Sequence, residues 1–307
     1  MSKKCIKDKK RPLFHTFWPK NSYNQQIFCI FARKMHYQIC THNQLLDLSS
    51  PRVMAILNIT PDSFYTSCKS MSEQEVLHAA EEAISNGADI LDLGACSTRP
   101  GSTPIEAQEE WSRLEPALLA IRHHWKDVVI SVDTFRADIA DKALAAGADI
   151  INDVYGGEAD PKIWDIISQY RAPYILTHST TIPFGNDYDH TLSTIVAELQ
   201  SKLDALHKRG IADVIIDPGF GFGKTLEQNY RLLHDLQVLQ CLHAPILVGV
   251  SRKSMLYKAL DTTPDQVLPA TIAAQTLALE RGANILRVHD VAAAKQTINI
   301  HQITHNS

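Results

Sequence analysis

The sequence predicts an α/β fold, a (β/α)8 TIM barrel, and three observations carry that prediction. Eight short apolar runs recur along the chain, stretches with apolar residues at three- and four-residue intervals lie between them, and glycines stand where those stretches should end. Strongly apolar strands separated by helices imply a parallel sheet covered on both faces. Eight such units in about 260 residues fit a closed barrel better than an open doubly wound sheet, which usually has fewer strands.

In order, the runs are VMAILN (53–58), DILDLG (89–94), VVISVD (128–133), DIINDV (149–154), PYILTH (173–178), DVIIDPG (213–219), PILVGVS (245–251) and NILRVHD (284–290). The helical stretches between them are EQEVLHAAEEAISNGA, IEAQEEWSRLEPALLAIRHHW, RADIADKALAAGA, PKIWDIISQY, LSTIVAELQSKLDALHKRG, LEQNYRLLHDLQVL and PATIAAQTLALERGA. Gly87, Gly147, Gly210 and Gly282 mark helix ends. The Gly-Ala-Asp-Ile at 87–90 and 147–150, echoed by Gly-Ala-Asn-Ile at 282–285, is a helix stop feeding a strand and carries no chemistry.

Composition narrows the function classes. With 307 residues, 45% hydrophobic and 21% charged, the chain can bury a large core and has no apolar run of membrane-spanning length. Its six cysteines include no Cys-x-x-Cys pair, which points to reduced thiols in the cytoplasm and gives no support for a structural zinc site. Residues 1–34 carry nine Lys/Arg against Asp8 alone, whereas the remainder carries 21 against 33 acidic residues. We therefore divide the chain into a basic extension (1–45), with Met35 as an alternative start, and a barrel domain (46–307). The acidic body argues against nucleic acid as a partner.

Active sites of such barrels form at the C-terminal ends of the strands. There the runs deliver Asn58, Asp92, Asp133, Asn152 with Asp153, His178, Asp217, Ser251-Arg252-Lys253, Arg287 and His289. Any one of these polar residues would ordinarily be structural; so many on one rim point to a site. Asp133, Asn152 and Asp217 suit a flat heterocycle edge bearing N–H, NH2 and C=O groups. Arg287, His289 and Arg99, from the loop STRPG, suit phosphate or pyrophosphate. Asn58 offers an amide oxygen to a magnesium ion held mainly by substrate phosphates.

The stretch DPGFGFGKT (217–225) looks like a nucleotide loop but is not one. Pro218 stands where a P-loop needs its first glycine, and Lys224 occupies the third glycine place of the dinucleotide fingerprint. Its glycines suit a tight turn from strand into helix, and Lys224 reads as a solvated helix-start residue.

ILNITPDSF (56–64), DLGACSTRPGS (92–102), SVDTFRADIADKALAAGADIINDVYGG (131–157), IIDPGFGFGKT (215–225), LVGVSRKS (247–254) and LRVHDV (286–291) together resemble the dihydropteroate synthases of the folate pathway. The resemblance runs in order from about Asp47 to Ala294. It implies attack of the p-aminobenzoate amine on the methylene carbon of 6-hydroxymethyl-7,8-dihydropterin diphosphate, with pyrophosphate leaving. Asp133, Asn152, Asp217 and Lys253 would then hold the pterin, the carboxylates also stabilising positive charge developing on that carbon. Asn58, Arg287 and His289 would hold magnesium and pyrophosphate. Thr98, Arg99 and Pro100 belong to one closing loop and Thr60 to Phe64 to another; with Phe64, Phe222 and Ser254 these loops would complete the p-aminobenzoate site. A homodimer built through late helices is also implied, with Ile272, Leu277 and Leu279 as its apolar surface.

The chain departs from the family pattern at three places. Tyr65-Thr66-Ser67-Cys68 replaces Ser-Asp-Gly-Gly, Cys96 replaces a glutamate, and Thr177-His178-Ser179 replaces Met-His-Met. Either the p-aminobenzoate pocket is remodelled, with reduced sulfonamide sensitivity, or the chain is a pterin-binding paralogue without catalysis. Joint retention of Asn58, Asp133, Asn152, Asp217, Lys253, Arg287 and His289 favours activity. The Ser-Thr-Arg-Pro loop and Arg287-Val288-His289 argue against a corrinoid methyltransferase, and the position of Lys253 at a strand end argues against a Schiff-base barrel.

Overall fold

The computed structural model describes residues 36–42, 44–59, 71–96, 105–180 and 187–305. Eight strands form one parallel sheet: β3 (Arg52–Asn58), β4 (Ile90–Gly94), β5 (Val129–Asp133), β6 (Ile150–Asp153), β7 (Tyr174–Thr177), β8 (Val214–Asp217), β9 (Leu247–Val248) and β10 (Ile285–Val288). Each falls inside one of the apolar runs. The order β8-β7-β6-β5-β4-β3-β10-β9 rolls the sheet, and a single bridge, Ile216 to Ile246, joins its two edges. The fold is the expected barrel.

Among the described residues the α-helices are α1 (Glu73–Ser85), α2 (Ala107–His124), α3 (Ala137–Ala145), α4 (Ile163–Tyr170), α5 (Tyr188–Lys208), α6 (Leu226–His234), α7 (Ser254–Ala259), α8 (Leu268–Glu280) and α9 (Val291–His305). The stops work as read: Gly87, Gly147, Gly210 and Gly282 have φ of 96°, 100°, 80° and 92°. LEQNYRLLHDLQVL divides into α6 and a 3-10 segment, Leu236–Leu242, and α7 and α9 lie outside the helical stretches the sequence predicts. Among the described residues no helix is long and apolar enough to cross a membrane.

Two apolar layers hold the barrel. Outside it, strand residues such as Val53, Leu91, Ile130, Ile151 and Leu286 pack on helix residues such as Leu118, Ile139 and Leu199. Trp111, Trp125 and Trp164 pack against this layer. Inside, at the N-terminal ends of the strands, each strand contributes one residue: Met54, Ile90, Val129, Ile150, Ile175, Ile215, Leu247 and Ile285. This floor is plugged by Ile39, Leu46 and Leu48.

The plug corrects the boundary drawn at residue 45. Strands β1 (Gln38–Cys40) and β2 (Leu45–Asp47) pair antiparallel across it, with Ile39 opposite Leu46. Cys40 N donates to Asp213 Oδ2 at 2.9 Å, and Gln44 Nε2 donates to Asp127 O at 2.8 Å, fastening the hairpin to loops beneath the barrel. Three-residue strands are too short to show alternation, so the hairpin reads as featureless chain.

Candidate active site

Parallel strands end together, so their last residues share one rim. At its centre lies Arg287 of β10. Its Nε donates to Asp92 Oδ2 and its Nη2 to Asp133 Oδ2, both at 2.6 Å. Asn152 Nδ2 donates to the same Asp92 oxygen at 3.1 Å. Asp92, fully buried on β4, thus acts as an anchor for two neighbours. Asp153 is likewise scaffolding: it accepts from Tyr155 N, Gly157 N and Tyr174 Oη.

Asp133 ends β5 and is buried. Its Oδ1 has no hydrogen-bond partner among the described residues. Burial pushes this carboxyl up, to about 7; Arg287 pulls it down while Asp92 and Asp153 push it further up. A buried acceptor left unpaired costs about 1–3 kcal/mol. Asp217, ending β8, is also raised by burial, against Lys253, the Gly219 amide and Arg287. Its Oδ1 accepts from Gly219 N at 2.7 Å.

Lys253 occupies the N-cap position of α7, without a capping bond from its side chain. Its Nζ donates to Phe220 O at 2.5 Å and lies 4.9 Å from the centre of the Phe222 ring. Burial lowers its pKa to about 8, although Asp217 draws it upward. The preceding Arg252 serves structure: its guanidinium grips both oxygens of Asp290, at 3.0 and 2.6 Å. That clamp ties the start of α7 to the end of β10.

Two glycines keep the centre open. A Cβ on Gly249 would lie 3.9 Å from Arg287 Cβ and 4.0 Å from both Asp217 Oδ2 and Lys253 Nζ. A Cβ on Gly94 would lie 3.6 Å from Asp133 Cβ and 3.9 Å from Asn58 Oδ1. Asn58 is exposed at the end of β3, beside Asp133. The sequence-predicted residues Asn58, Asp133, Asp217, Lys253 and Arg287 therefore converge around positions without side chains. Asn152 joins them through Asp92.

His289 stands just beyond β10, with Nδ1 3.1 Å from Ser251 Oγ. Its backbone N–H donates to the same oxygen at 3.2 Å, so Ser251 holds both the main chain and the ring of His289. Ser254 opens α7, half-buried next to Lys253. Thr98, Arg99, Pro100 and Phe64 lie outside the described residues, as does the altered segment 65–68.

The loop 217–225 shows why its glycines are required. Gly219 (φ 70°) and Gly223 (φ 66°) pass so close to the end of β7 that a Cβ would fall 1.9 Å from His178 O and 2.3 Å from Thr180 O. Thr225 then caps α6, its hydroxyl accepting from Gln228 N. Lys224 is not the solvated residue it resembled. Its Nζ donates to Gly219 O at 2.9 Å and Phe222 O at 3.1 Å, and lies 3.1 Å from His178 Nδ1. Burial lowers its pKa to about 7, with Asp217 opposing. Burial, then Lys224, lowers His178 to about 3, keeping the imidazole neutral. Its Nε2 lies 3.0 Å from Glu198 Oε2 and so carries the proton. A lysine after Gly-Phe-Gly has no local signal for this inward path; only the fold of the loop over β7 produces it.

Residues 54–289 match the pterin binding enzyme family. The chain is 36% identical over 276 residues to the dihydropteroate synthase of Haemophilus influenzae, covering 88% of this chain and 100% of that protein. Among solved structures, a Xanthomonas albilineans dihydropteroate synthase with 4-aminobenzoic acid has a TM-score of 0.83 and 34% identity, covering 89% of this chain and 100% of that one. A Yersinia pestis dihydropteroate synthase in a sulfonamide drug complex has a TM-score of 0.82 at 34% identity, covering 88% of this chain and 100% of that one.

Proposed function

Because the chain belongs to the dihydropteroate synthase family of pterin-binding enzymes, we propose a division of labour around its rim. The chain is a transferase of folate biosynthesis: it condenses 6-hydroxymethyl-7,8-dihydropterin diphosphate with p-aminobenzoate to give 7,8-dihydropteroate and pyrophosphate. The amine nitrogen forms the new bond to the methylene carbon, the carbon–oxygen bond to diphosphate breaks with its electron pair, and the amine gives up a proton.

Asp133, Asn152, Asp217 and Lys253 bind the pterin. What supports this is the linkage of buried Asp133 through Arg287 to the space over Gly249, where Asp217 Oδ2 and Lys253 Nζ meet. Carboxylate acceptors there match the N–H donors of a pterin edge. They also place negative charge beside a methylene carbon that becomes positive as diphosphate departs. Arg287 is kept charged because Asp92 and Asp133 outweigh the burial that opposes charge. With His289 it faces the leaving diphosphate.

Magnesium fits the donor set at Asn58, a hard amide oxygen at an exposed strand end. Most of its remaining ligands would be substrate phosphate oxygens and water. Bound there, it would neutralise charge on the leaving group. Thr98, Arg99, Pro100 and Phe64 on their loops, with Phe222 and Ser254, form the p-aminobenzoate side. The substitutions at 65–68 and Cys96 lower sulfonamide affinity relative to p-aminobenzoate.

The enzyme works in the cytoplasm as a homodimer through α8 and α9. Exposed Leu277, Ile300 and Ile303 support that face, while Leu279 is buried and belongs to the core.

The test is pyrophosphate release by purified protein given dihydropterin diphosphate, magnesium and p-aminobenzoate. Release that depends on p-aminobenzoate and is lost in Asp217→Ala is expected. Pterin binding without pyrophosphate release would instead make the chain a binding paralogue.

A further inference from the structure

At the end of the barrel opposite the rim, a second cluster of donors has no part in the reaction above. Helix α8 runs down to Glu280 just before β10 begins, and α9 runs down from the end of β10 to the same level. There Glu280 meets His301 and His305. We propose that these three residues form a binding site for a divalent transition-metal ion of the zinc class, which staples the last helix of the chain to the barrel.

The spacing i, i+4 places both imidazoles on one face of α9, and their rings stack with centroids 4.3 Å apart. Glu280 presents one oxygen to each: Oε2 is 3.4 Å from His305 Nε2 and Oε1 is 3.9 Å from His301 Nε2. One donor atom from each residue lies within 4.8 Å of the others. Tetrahedral zinc with bonds near 2.0–2.1 Å needs its ligand atoms roughly 3.3–3.5 Å apart, so small side-chain adjustments close the site.

The tautomer of His305 also fits. Its Nδ1 is 2.9 Å from His301 O, so Nδ1 carries the proton and the Nε2 lone pair faces the carboxylate. A metal-ligating histidine commonly donates its other ring N–H to a backbone carbonyl in this way. A plain ion pair accounts for the cluster less well. Two protonated rings stacked together would repel, and one carboxylate answers only one of them.

The neighbouring cation does not compete. Arg281 directs its guanidinium to His234 O at 2.7 Å and Leu277 O at 3.2 Å. Two imidazoles and a carboxylate select zinc, cobalt or nickel over magnesium, which prefers all-oxygen sites. The site is therefore independent of the magnesium proposed at Asn58. The cysteine pattern gave no hint of it because no cysteine takes part.

Purified full-length protein, stripped with chelator and held in excess magnesium, is titrated with Zn2+ by calorimetry and with Co2+ by visible absorption. One ion per chain is expected, with a rise in Tm on zinc addition. His301→Ala and His305→Ala should each weaken binding by roughly a hundredfold, while His123→Ala should leave it unchanged. Circular dichroism and the metal-free Tm check that each variant is folded. Stoichiometric zinc binding that survives the double His301→Ala, His305→Ala change would overturn the proposal and move the ion elsewhere, including the His- and Cys-containing segment 1–35. Absence of any zinc binding tighter than millimolar would also overturn it.

Discussion

The two ends of the barrel are built from the same eight strands and have opposite characters. At the floor, one aliphatic residue per strand packs beneath a hairpin plug. A few residues further along, the strands deliver buried Asp133, Asn152 and Asp217 beside the half-buried Arg287. The floor gains from every methylene it hides, on the order of 0.8 kcal/mol each. The rim spends part of that gain on desolvated carboxylates and an unpaired oxygen. Stability and chemistry are thus segregated along the strand axis, and substitutions at the two ends should separate them.

The largest expected effect is at the rim. Asp217→Ala should lower kcat/KM by about a thousandfold, roughly 4 kcal/mol of lost transition-state stabilisation. Its Tm should stay level or rise. Burial raises the pKa of Asp217, so its ionised form opposes folding at neutral pH. A marked fall in both activity and Tm would break the segregation.

At the floor the signs reverse. Ile215→Ala removes a fully buried side chain and should cost about 3 kcal/mol of stability by denaturant titration, with kcat/KM within about twofold of the parent. A large loss of activity at unchanged stability would show that the floor shapes the site.

Gly249→Ala tests the open centre itself. The backbone there needs no left-handed conformation, and the added methyl makes only ordinary contacts. Folding should tolerate it, while KM for the pterin substrate rises about tenfold as the methyl occupies ligand space.

The smallest effect is on pH. Asp133 must be ionised to accept a pterin N–H, so kcat/KM should fall as pH drops through about 7. Lys253 must stay charged, so it should fall again above about 8. Lys253→Arg should abolish the basic limb because guanidinium stays protonated. An unchanged basic limb in that variant would assign it to another group.

How much of this was legible depended on whether the signal was local. Each barrel strand announced itself because both faces are buried, giving a continuous apolar run. Asp133, Asp217 and Arg287 were legible because a polar residue at the end of such a run stands out. The hairpin was not, since strands of three residues carry no period, and α9 was not, since VAAAKQTINIHQITH mixes β-branched residues with an irregular apolar pattern. Lys224 misled for a different reason. Its partner His178 comes from β7's end, and Glu198, which His178 Nε2 approaches, comes from α5; both are distant in sequence, and the close passage of Gly219 over His178 brings the lysine to them.

The seam of the barrel has a kinetic consequence. β8 and β9 meet through one bridge and the hydrogen bond from Ile216 N to Pro245 O, at 2.9 Å, where proline offers no N–H in return. Every other neighbouring pair of barrel strands shares a longer register, or, for β9 with β10, two paired residues. Amide exchange should therefore report opening first at this junction. Asp217 and Gly249 sit immediately beyond it, one on each side. A pterin lodged between them would act as the missing rung, so that occupancy slows exchange at the Ile216 amide.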